Sequence, residues 1–311
     1  LLYELNFTNI LTLLSLSDIP FYAGDRNDVF PLIIGGGPCA FNPEPLADFF
    51  DAFVIGDGED VAVQISKKVI EFKKQGDGKK QTLLKLLSKI DGVYVPSFFK
   101  VAYDKNNIQT LTPIYEDYKT VKRAFLPQLT KKSFPDSPII PFAKPVHDRL
   151  RLEIARGCSR GCRFCQAGMI YRPVRERSLE DLIEITKNSL KTTGYSDISL
   201  LSLSTGDYSN LSQLMVKLLE LGQGHCNAIS LPSVRAEKLT PQLMNLIKKV
   251  RKTGFTIAPE AGSQRLRDII NKNLTEDSIT ATVENALNLG WKNIKLYFMM
   301  GLPFETPDDI E

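Results

Sequence analysis

The sequence predicts an α/β fold in two parts, a partial doubly wound sheet followed by part of a parallel βα barrel. Strand-like apolar runs alternate with helical stretches along most of the chain, glycine-rich turns follow the early strands, and a proline-rich stretch separates the two parts. The chain has 311 residues, of which 43% are hydrophobic, enough for two ordinary domains. This composition excludes a mainly disordered or collagen-like protein.

The first part shows two strand-turn-helix repeats. The apolar run at residues 31–34 predicts a buried strand that leads into a glycine turn, and residues 46–50 predict a short helix that starts after Asn42. A second strand is expected at 52–55, and a turn from Gly56 leads into an amphipathic helix that ends near Gln75. We therefore expect a Rossmann-like domain over residues 1–90, with ligands at the carboxyl ends of its strands.

Residues 91–147 predict a β-hairpin and a linker. Strand-like runs at 93–95, 98–103 and 108–111 surround a polar turn. Five of the 18 prolines then fall between Pro127 and Pro145, which favours an extended, stiff connector. Another short helix is expected before the hairpin, at 82–90.

The last part, residues 148–311, predicts repeated βα units. Parallel strands from such units curl toward a barrel whose chemistry lies in the loops at their carboxyl ends. The chain ends just after the fifth strand and has no initial methionine, so we expect a segment of a longer protein. The predicted strands are 152–155, 198–201, 228–231, 254–258 and 293–298, and the helices are near 178–192, 209–221, 241–252 and 263–289, the last broken at 271–275.

Charge, hydropathy and cysteine content limit the class of protein. A net charge of +3 does not by itself indicate a nucleic acid or a membrane surface as partner. No run approaches the roughly 18 apolar residues of a membrane helix, so no membrane partner is expected. Five cysteines, three of them within eight residues, do not form a secreted disulfide framework. They predict a metal or redox site in a reducing compartment, the cytoplasm.

The strongest chemical signal is a C-x3-C-x2-C loop formed by Cys158, Cys162 and Cys165, directly after the first barrel strand. Three thiolates can hold three irons of a 4Fe-4S cubane, which leaves the fourth iron open to a non-protein ligand. The alternative is a zinc site completed by His147 or His225.

This loop resembles the signature of the radical S-adenosylmethionine (radical SAM) enzymes, CxxxCxxC with an aromatic residue, here Phe164, before the third cysteine. The resemblance covers about residues 147–311 and implies a partial (β/α)6 radical SAM barrel. It also implies that the three cysteines bind a 4Fe-4S cluster whose open iron is chelated by S-adenosylmethionine. An electron from a donor such as flavodoxin or ferredoxin would cleave this cofactor to a 5'-deoxyadenosyl radical, which abstracts hydrogen from a substrate.

Two further loops stand where the resemblance places contacts to S-adenosylmethionine. Thr205, Gly206 and Asp207 occupy the position of the family's Gly-Gly-Glu motif and depart from it, although Asp207 could still accept from the cofactor's ammonium group. The alternative is that Asp207 or Ser209 caps the next helix. After the third strand, Ser233 and Arg235 are expected to meet the methionyl carboxylate, with a plain polar loop as the alternative.

The fourth and fifth strands end in similar turns. Glu260 and Ser263 resemble the family's ribose-contacting turn, and Glu260 can accept from the ribose hydroxyls or the ammonium group. Leu302 lies in a turn that resembles the family's Gly-Leu-Pro-x-Glu-Thr, which supports adenine; read alone it is a helix-starting turn.

The amino-terminal domain, over residues 33–60, resembles the later half of the cobalamin-binding-type domain that precedes many radical SAM barrels. Cobalamin stays open as a cofactor. The Asp-x-His-x-x-Gly loop that supplies histidine to cobalt in one branch of such domains does not occur within residues 1–311, and a plain βα connection explains the glycines equally well. Cys39 and Cys226 are expected to be small buried residues. Cys39 alone cannot carry the second cluster of methylthiotransferases.

Arginine is concentrated around the cysteine loop: eight of the fourteen lie between Arg149 and Arg177, against Glu153 and Glu176, a local balance of +6. We expect these arginines to neutralise the cluster and to face solvent, with RNA binding as the alternative. The sequence thus predicts a cytoplasmic radical SAM enzyme whose reaction, whether methyl transfer or modification of RNA or a small molecule, stays open. Two other classes also stay open, a non-catalytic iron-sulfur or zinc module that binds RNA and an electron carrier.

Overall fold

A computed structural model describes residues 1, 3–26, 30–76, 78–222, 228–250 and 255–311, with residues 248–250 and 255 described by their backbone alone. The chain forms two compact units, Leu1–Pro127 and Gln128–Glu311. The boundary falls within the proline-rich stretch. His225, Cys226 and the predicted strand start at Gly254 lie outside the described residues.

The amino-terminal unit is built on a small mixed sheet. Strand β1 (Ile34–Gly36) pairs in parallel with β2 (Ala52–Val54), as expected for two consecutive βα repeats. Strand β1 begins later than predicted and includes the glycines expected to form a turn. Gly35 lies so close to Phe53 that a Cβ at this position would be only 2.6 Å from the Phe53 ring. The helices are α1 (Phe7–Leu16), α2 (Glu59–Gln75) and α3 (Lys80–Leu87), with 3-10 helices at Glu4–Asn6, Ala23–Asp25, Pro38–Phe41, Glu44–Phe49 and Pro96–Phe98.

The observed hairpin has one strand fewer than the sequence predicts. Strand β3 (Val93–Tyr94) joins the sheet antiparallel to β2, while β4 (Phe99–Tyr103) and β5 (Gln109–Pro113) form the hairpin. The assignment of residues 93–95 to the hairpin was therefore wrong. Pro96 starts a 3-10 helix that separates β3 from β4, and the buried Val93 packs in the core of this unit.

A buried ion cluster joins the start of the sheet to helix α3. Asp51, which precedes β2, has a side chain that is 1% exposed and lies 3.3 Å from an Arg26 nitrogen and 2.5 Å from Lys80 Nζ. The same carboxylate accepts from the backbone N–H of Ile33 at 2.8 Å. Arg26 also donates to the Phe49 carbonyl at 3.0 Å. Asp51 therefore holds the loop before β1, the strand β2 and helix α3 together.

The carboxyl-terminal unit contains two groups of parallel strands. Strands β6 (Leu150–Glu153), β9 (Asp197–Leu201) and β10 (Ala228–Ser230) form one parallel sheet with β9 in the centre. Strands β11 (Phe255–Glu260) and β12 (Ile294–Phe298) pair in parallel as a second. Five strands thus lie close to the positions predicted for the barrel. Two short strands, β7 (Ala155–Arg156) and β8 (Arg175–Glu176), pair antiparallel.

Helices follow the barrel strands in the predicted order and cover the sheet. Ser178 caps α5 by accepting from the N–H of Asp181, and Gly194, at φ +70°, ends it. The predicted break is confirmed: α8 ends at Ile269, and α9 starts after Thr275, which caps it. The helices are α4 (Ala167–Ile170), α5 (Leu179–Thr193), α6 (Leu211–Leu221), α7 (Pro241–Val250), α8 (Gln264–Ile269), α9 (Glu276–Asn288) and α10 (Pro307–Ile310), with 3-10 helices at Lys131–Ser133, Thr205–Asp207 and Ala236–Lys238.

The core of this unit lies between the three-stranded sheet and helices α5, α6 and α7. Leu152 on β6 and Leu200 on β9 are fully buried and pack with Leu182, Leu214 and Met244 from the helices. Such a core fixes the carboxyl ends of the strands and therefore the loops that follow them. Among the described residues, no helix combines the length and apolar character needed to cross a membrane.

We predict that Asp51→Asn lowers the free energy of unfolding by about 3 kcal/mol, because Arg26 and Lys80 would lose the carboxylate that compensates their buried charges. Urea unfolding of the whole chain, followed by circular dichroism, measures this loss. Asp91→Asn is the matched control: Asp91 pairs with Lys122, and the two side chains are 65% and 81% exposed. Its cost should stay below about 1 kcal/mol. Equal costs for the two variants would contradict the role given to Asp51.

Candidate active site

The cysteine loop, residues 157–174, is closed at its base by the pairing of β7 with β8. Gly157 starts the loop at φ +95°, in a region that disfavours side chains. A Cβ on Gly157 would be 2.6 Å from the Tyr171 carbonyl oxygen and 2.9 Å from that of Pro173. The two ends of the loop therefore cross at a distance that glycine alone allows without rearrangement.

A buried arginine supports the same base. The Arg177 side chain is 0% exposed and lies 3.2 Å from a Glu153 carboxylate oxygen. It also donates to the backbone carbonyl of Glu153 at 3.1 Å and stacks near the Phe134 ring at 5.4 Å. Burial lowers the pKa of Arg177, with Glu153 acting in the opposite direction. Glu153 also pairs with Arg156 at 2.9 Å, so ion pairs join the end of β6 to β7 and to the residue that follows β8.

The break between α8 and α9 holds the loop from behind. The backbone N–H of Arg163 donates to the Ile270 carbonyl at 2.9 Å. The side-chain amide of Asn271 donates to the Gly161 carbonyl at 2.8 Å. Asn271 has φ +55°, a conformation that ends a helix and that asparagine tolerates better than most residues. The polar break predicted from the sequence thus supports the cysteine loop.

The three cysteines of the loop face one cavity of about 270 Å³. All three are free thiols and partly buried. The cavity is also bordered by loops at the carboxyl ends of β9, β10 and β11, the edge predicted to carry chemistry. Its lining residues are Cys158, Arg160, Cys162, Phe164, Cys165, Leu203, Ser204, Ser233, Val234, Arg235, Ala236, Glu237, Ala258, Glu260, Lys272 and Leu274.

The donor set is three thiols, which are the ligands that iron-sulfur clusters use. Among the residues that the structure describes, no three His, Cys, Asp or Glu side chains converge on a point where one metal ion would be held. In a cubane, each thiolate binds a different iron, so the sulfurs need a space between them rather than a common point. Three thiols around one cavity meet this requirement.

Two cavity residues have strained backbones. Glu260 ends β11 at φ +72°, after a register shift between Ile257 and Glu260, and Ser233 has φ +57° in the loop after β10. A bulge or a left-handed residue redirects a side chain, and both are common near functional sites. The Glu260 carboxylate lies 3.0 Å from Lys272 Nζ, and both side chains are less than a fifth exposed. The partner that a carboxylate at this strand end requires is therefore Lys272.

Arg235 also lines the cavity, with its guanidinium held by several groups. Its Nε lies 2.6 Å from a Glu237 carboxylate oxygen, and one terminal nitrogen donates to the Lys272 carbonyl. The other terminal nitrogen lies 3.9 Å from the Cys162 sulfur. Arg235 is thus directed at the cysteine loop.

Asp207 lies outside the cavity lining and is paired with basic side chains. Its carboxylate accepts from Arg160 Nε at 2.6 Å and from the Ser204 hydroxyl at 2.7 Å, and Lys238 Nζ lies 3.4 Å away. Burial by itself raises the pKa of Asp207, but the hydrogen bonds from Arg160 and Ser204 outweigh it and lower the pKa to about 2. Asp207 is therefore a charged partner that positions Arg160, a cavity residue.

The remaining predicted contacts have packing or capping roles in the structure. Thr205 is fully buried and its N–H donates to the Ser233 carbonyl at 3.2 Å. A Cβ on Gly206 would be 2.7 Å from Lys238 Cβ, so glycine permits the two loops to approach. Ser263 caps α8, and Leu302 is buried with Ala261 and Leu266. None of these four lines the cavity as described. Their predicted contacts to a cofactor stay predictions.

Sequence reasoning missed Lys272 and Arg160 as cavity residues. Lys272 lies in the helix break, and its Nζ is 5.9 Å from the Phe164 ring centroid as well as paired with Glu260. Nothing in the sequence around Lys272 predicts that its side chain pairs with Glu260 at the end of β11. The expectation that the arginines face solvent was wrong for Arg175 and Arg177, which are buried. Cys39 is buried as expected.

We predict that Gly157→Ala destabilises the carboxyl-terminal unit by at least about 1 kcal/mol, because the added methyl meets two carbonyl oxygens and the backbone conformation disfavours alanine. Gly168→Ala is the control within the same loop: Gly168 lies in α4 and has no atom within 4 Å of an added Cβ. It should leave stability unchanged or raise it slightly. Thermal unfolding of both variants measures the difference, and a neutral Gly157→Ala would contradict the close crossing at the loop base.

The sequence matches two family models. Residues 1–96 match "Radical SAM proteins, N-terminal", and residues 152–311 match "Radical SAM superfamily". The chain is also similar to "Uncharacterized protein MJ0966" of Methanocaldococcus jannaschii, with 33% identity over 92% of this chain and 55% of the relative. It is 24% identical to the ribosomal protein uS12 methylthiotransferase RimO of Elusimicrobium minutum, over 79% of this chain and 58% of that protein. The chain thus spans little more than half of these relatives.

Two solved structures share the fold. The cobalamin-dependent S-adenosylmethionine radical enzyme OxsB, with aqua-cobalamin bound, gives a TM-score of 0.57 at 16% identity, over 97% of this chain and 40% of its own. The radical S-adenosylmethionine methyltransferase TsrM from Kitasatospora setae gives 0.62 at 13% identity, over 98% of this chain and 54% of its own. The predicted α/β fold, a partial radical SAM barrel after a partial doubly wound domain, is confirmed. Because the superfamily model covers residues 152–311, the chain belongs to the radical SAM superfamily of enzymes.

Proposed function

We propose that the carboxyl-terminal unit binds a 4Fe-4S cluster through Cys158, Cys162 and Cys165 and cleaves S-adenosylmethionine reductively. The observation that supports this proposal most strongly is that the three thiols border one cavity at the carboxyl ends of the barrel strands. The same cavity contains Ser233, Arg235 and Glu260, which the sequence singles out for the cofactor.

The chemistry of the bound group is that of the superfamily: one electron cleaves the sulfonium C–S bond of S-adenosylmethionine to give methionine and a 5'-deoxyadenosyl radical, which takes a hydrogen atom from substrate. The residues of this chain hold and orient the reactants. Glu260 presents a carboxylate, fixed by Lys272, that can accept from ribose hydroxyls or an ammonium group. Ser233 and Phe164 line the same cavity, one with a hydroxyl group and the other with an aromatic ring.

Charge in the cavity suits an anionic cluster. Arg160, Arg235 and Lys272 line it, and each is paired with one carboxylate, that of Asp207, Glu237 and Glu260 in turn, so these pairs are neutral before the thiolates are counted. Lys238, whose Nζ lies 3.4 Å from Asp207, adds a further positive charge nearby. Nearby cations lower the electrostatic cost of placing an anionic cluster in a partly buried site. Thr205, Gly206, Asp207, Ser263 and Leu302 would then act from behind the cavity, by packing and by positioning Arg160, rather than by direct contact with the cofactor.

We further propose that the amino-terminal unit is of the cobalamin-binding type. Its parallel strands β1 and β2 and the glycines of β1 support this, and OxsB and TsrM, which share the fold, are cobalamin-dependent or cobalamin-bound in their solved structures. Residues 1–127 contain no histidine. A corrin held by residues 1–127 would therefore receive no imidazole from these residues, and the absorbance spectrum of the aquacobalamin-loaded protein measures whether an imidazole is bound.

The substrate reaction that we favour is methyl transfer, because TsrM is a methyltransferase of the same fold and RimO modifies a ribosomal protein with a methylthio group. We expect a flavodoxin or ferredoxin as electron donor and a cytoplasmic location, where thiols stay reduced. RNA binding by the basic residues stays an alternative.

Anaerobic reconstitution with iron and sulfide tests the proposal. We expect the broad visible absorbance of a cubane cluster, and release of 5'-deoxyadenosine after addition of S-adenosylmethionine and dithionite. A protein that binds zinc and leaves S-adenosylmethionine intact would instead be a non-catalytic module. A cluster that changes redox state without cleaving S-adenosylmethionine would indicate an electron carrier.

Cys162→Ala is predicted to abolish stable binding of the cluster, because two thiolates cannot replace the three that border the cavity. Iron and acid-labile sulfide should fall from about four per chain to a small fraction of that value. Cys39→Ala is the matched control, since Cys39 is a buried free thiol in the other unit. It should retain the cluster, and equal losses in both variants would contradict the ligand assignment.

A further inference from the structure

We infer that Arg235 sets the reduction potential of the cluster by donating a hydrogen bond to the Cys162 sulfur, and does not serve as the carboxylate-binding group for S-adenosylmethionine. This inference rests on the proposed function, since it requires a cluster on Cys162. It assigns to Arg235 a positioning and tuning role that differs from the one expected from the sequence.

The geometry places a guanidinium nitrogen against the sulfur. The distance between Arg235 and the Cys162 sulfur is 3.9 Å, within reach of an N–H···S hydrogen bond, which is longer than a bond to oxygen. The side chain of Arg235 is 11% exposed. A largely buried cation acts more strongly on a neighbouring charge than an exposed one, because water screens it less.

Three separate groups fix the orientation of this guanidinium. Glu237, two residues along the chain, binds Nε at 2.6 Å. The carbonyls of Lys272 and Asn273, in the helix break, accept from one terminal nitrogen, the second at 3.4 Å. The remaining terminal nitrogen is the one near sulfur. A bidentate contact to a carboxylate requires two neighbouring N–H groups, so Arg235 would have to give up existing partners to make it.

The helix break connects this arginine to the cysteine loop. Residues 269–273 accept from Arg163 and donate to Gly161, and they also accept from Arg235. The donor and the sulfur are therefore both fixed against the same short segment. Their separation depends on that segment and not on a mobile side chain.

The other cations that line the cavity have different partners among the described residues. Lys272 pairs with Glu260 at 3.0 Å, and Arg160 Nε donates to Asp207 at 2.6 Å. Arg160 also approaches Cys158, but through its backbone N–H, at 3.5 Å from the sulfur. Arg235 thus combines a side-chain donor and a full positive charge at a cysteine sulfur.

Such a contact stabilises the reduced cluster. Reduction adds one electron from an external donor such as dithionite, takes the cluster from its 2+ to its 1+ state and moves no proton. The added negative charge is shared by the thiolate sulfurs, so a cationic donor beside one of them favours the reduced state and raises the potential. Loss of Arg235 should therefore make the cluster harder to reduce, with or without S-adenosylmethionine.

Arg235→Met removes the positive charge and the hydrogen-bond donors. Arg235→Lys keeps the charge but loses the planar guanidinium and its fixed arrangement of N–H donors. Lys238→Met is the matched control: Lys238 is 42% exposed, pairs with Asp207 at 3.4 Å and does not line the cavity. The full chain with a reconstituted cluster is titrated anaerobically with dithionite against redox dyes, and the reduced state is counted by electron paramagnetic resonance. Dissociation of S-adenosylmethionine is measured separately on each oxidised variant.

At a fixed potential without S-adenosylmethionine, Arg235→Met should lower the ratio of reduced to oxidised cluster about tenfold, equivalent to about 59 mV for one electron. Arg235→Lys should lose less, and Lys238→Met should match the unchanged protein. Affinity for S-adenosylmethionine should change by less than about threefold, well under 1 kcal/mol. If Arg235→Met does not retain a cluster, the reduction potential of Arg235→Lys tests the inference, and it should lie below that of the unchanged protein.

An unchanged reduction potential in the Arg235 variants would overturn the inference. If these variants also bound S-adenosylmethionine about tenfold more weakly, Arg235 would instead be the group that binds the methionyl carboxylate. An equal shift in Lys238→Met would also overturn the inference, because a diffuse charge effect would then explain the change. Failure of the proposed function looks different: the unchanged protein itself would form no cluster on reconstitution.

Discussion

The closure and support of the cysteine loop is the constraint on which the site depends. Three thiols within eight residues can face one cavity when the loop that carries them is fixed at both ends and from behind. The pairing of β7 with β8 and the close crossing at Gly157 fix the ends. Hydrogen bonds from the loop to Ile270 and from Asn271 to the loop fix the back. The barrel strands supply the frame, but these local contacts set the positions of the sulfurs.

Charge around the cavity is ordered by pairing. Basic side chains near the thiols would repel one another if they were free, yet each of the three is paired with a carboxylate. Arg160 pairs with Asp207, Arg235 with Glu237 and Lys272 with Glu260. This pairing orients the cations beside the thiols. Strained backbones at Ser233 and Glu260 are held in the same region. The core beneath the sheet therefore stabilises a site whose local geometry is unfavourable by itself.

The two units place their buried charged groups at different ends of their strands. The carboxyl-terminal unit concentrates polar groups at one edge of its strands, where the cavity lies. The amino-terminal unit instead uses a buried carboxylate, Asp51, before β2, at the opposite end of the strand from the edge where doubly wound sheets bind ligands. This carboxylate joins loop, sheet and helix. Its role is explained by stability, and it leaves the carboxyl ends of β1 and β2 to any ligand.

The sequence by itself determined the fold class, the order of barrel strands, the helix break at residues 271–275 and the three cysteines, because periodicity and spacing are local properties of the chain. It misplaced residues 93–95, of which Val93 and Tyr94 pair with β2 rather than within the hairpin, because strand pairing depends on residues that are distant in the sequence. It also could not show that Lys272 reaches Glu260 or that Arg235 turns to Cys162. Those contacts join residues that are 12 and 73 positions apart, and the folded backbone alone decides which charges meet.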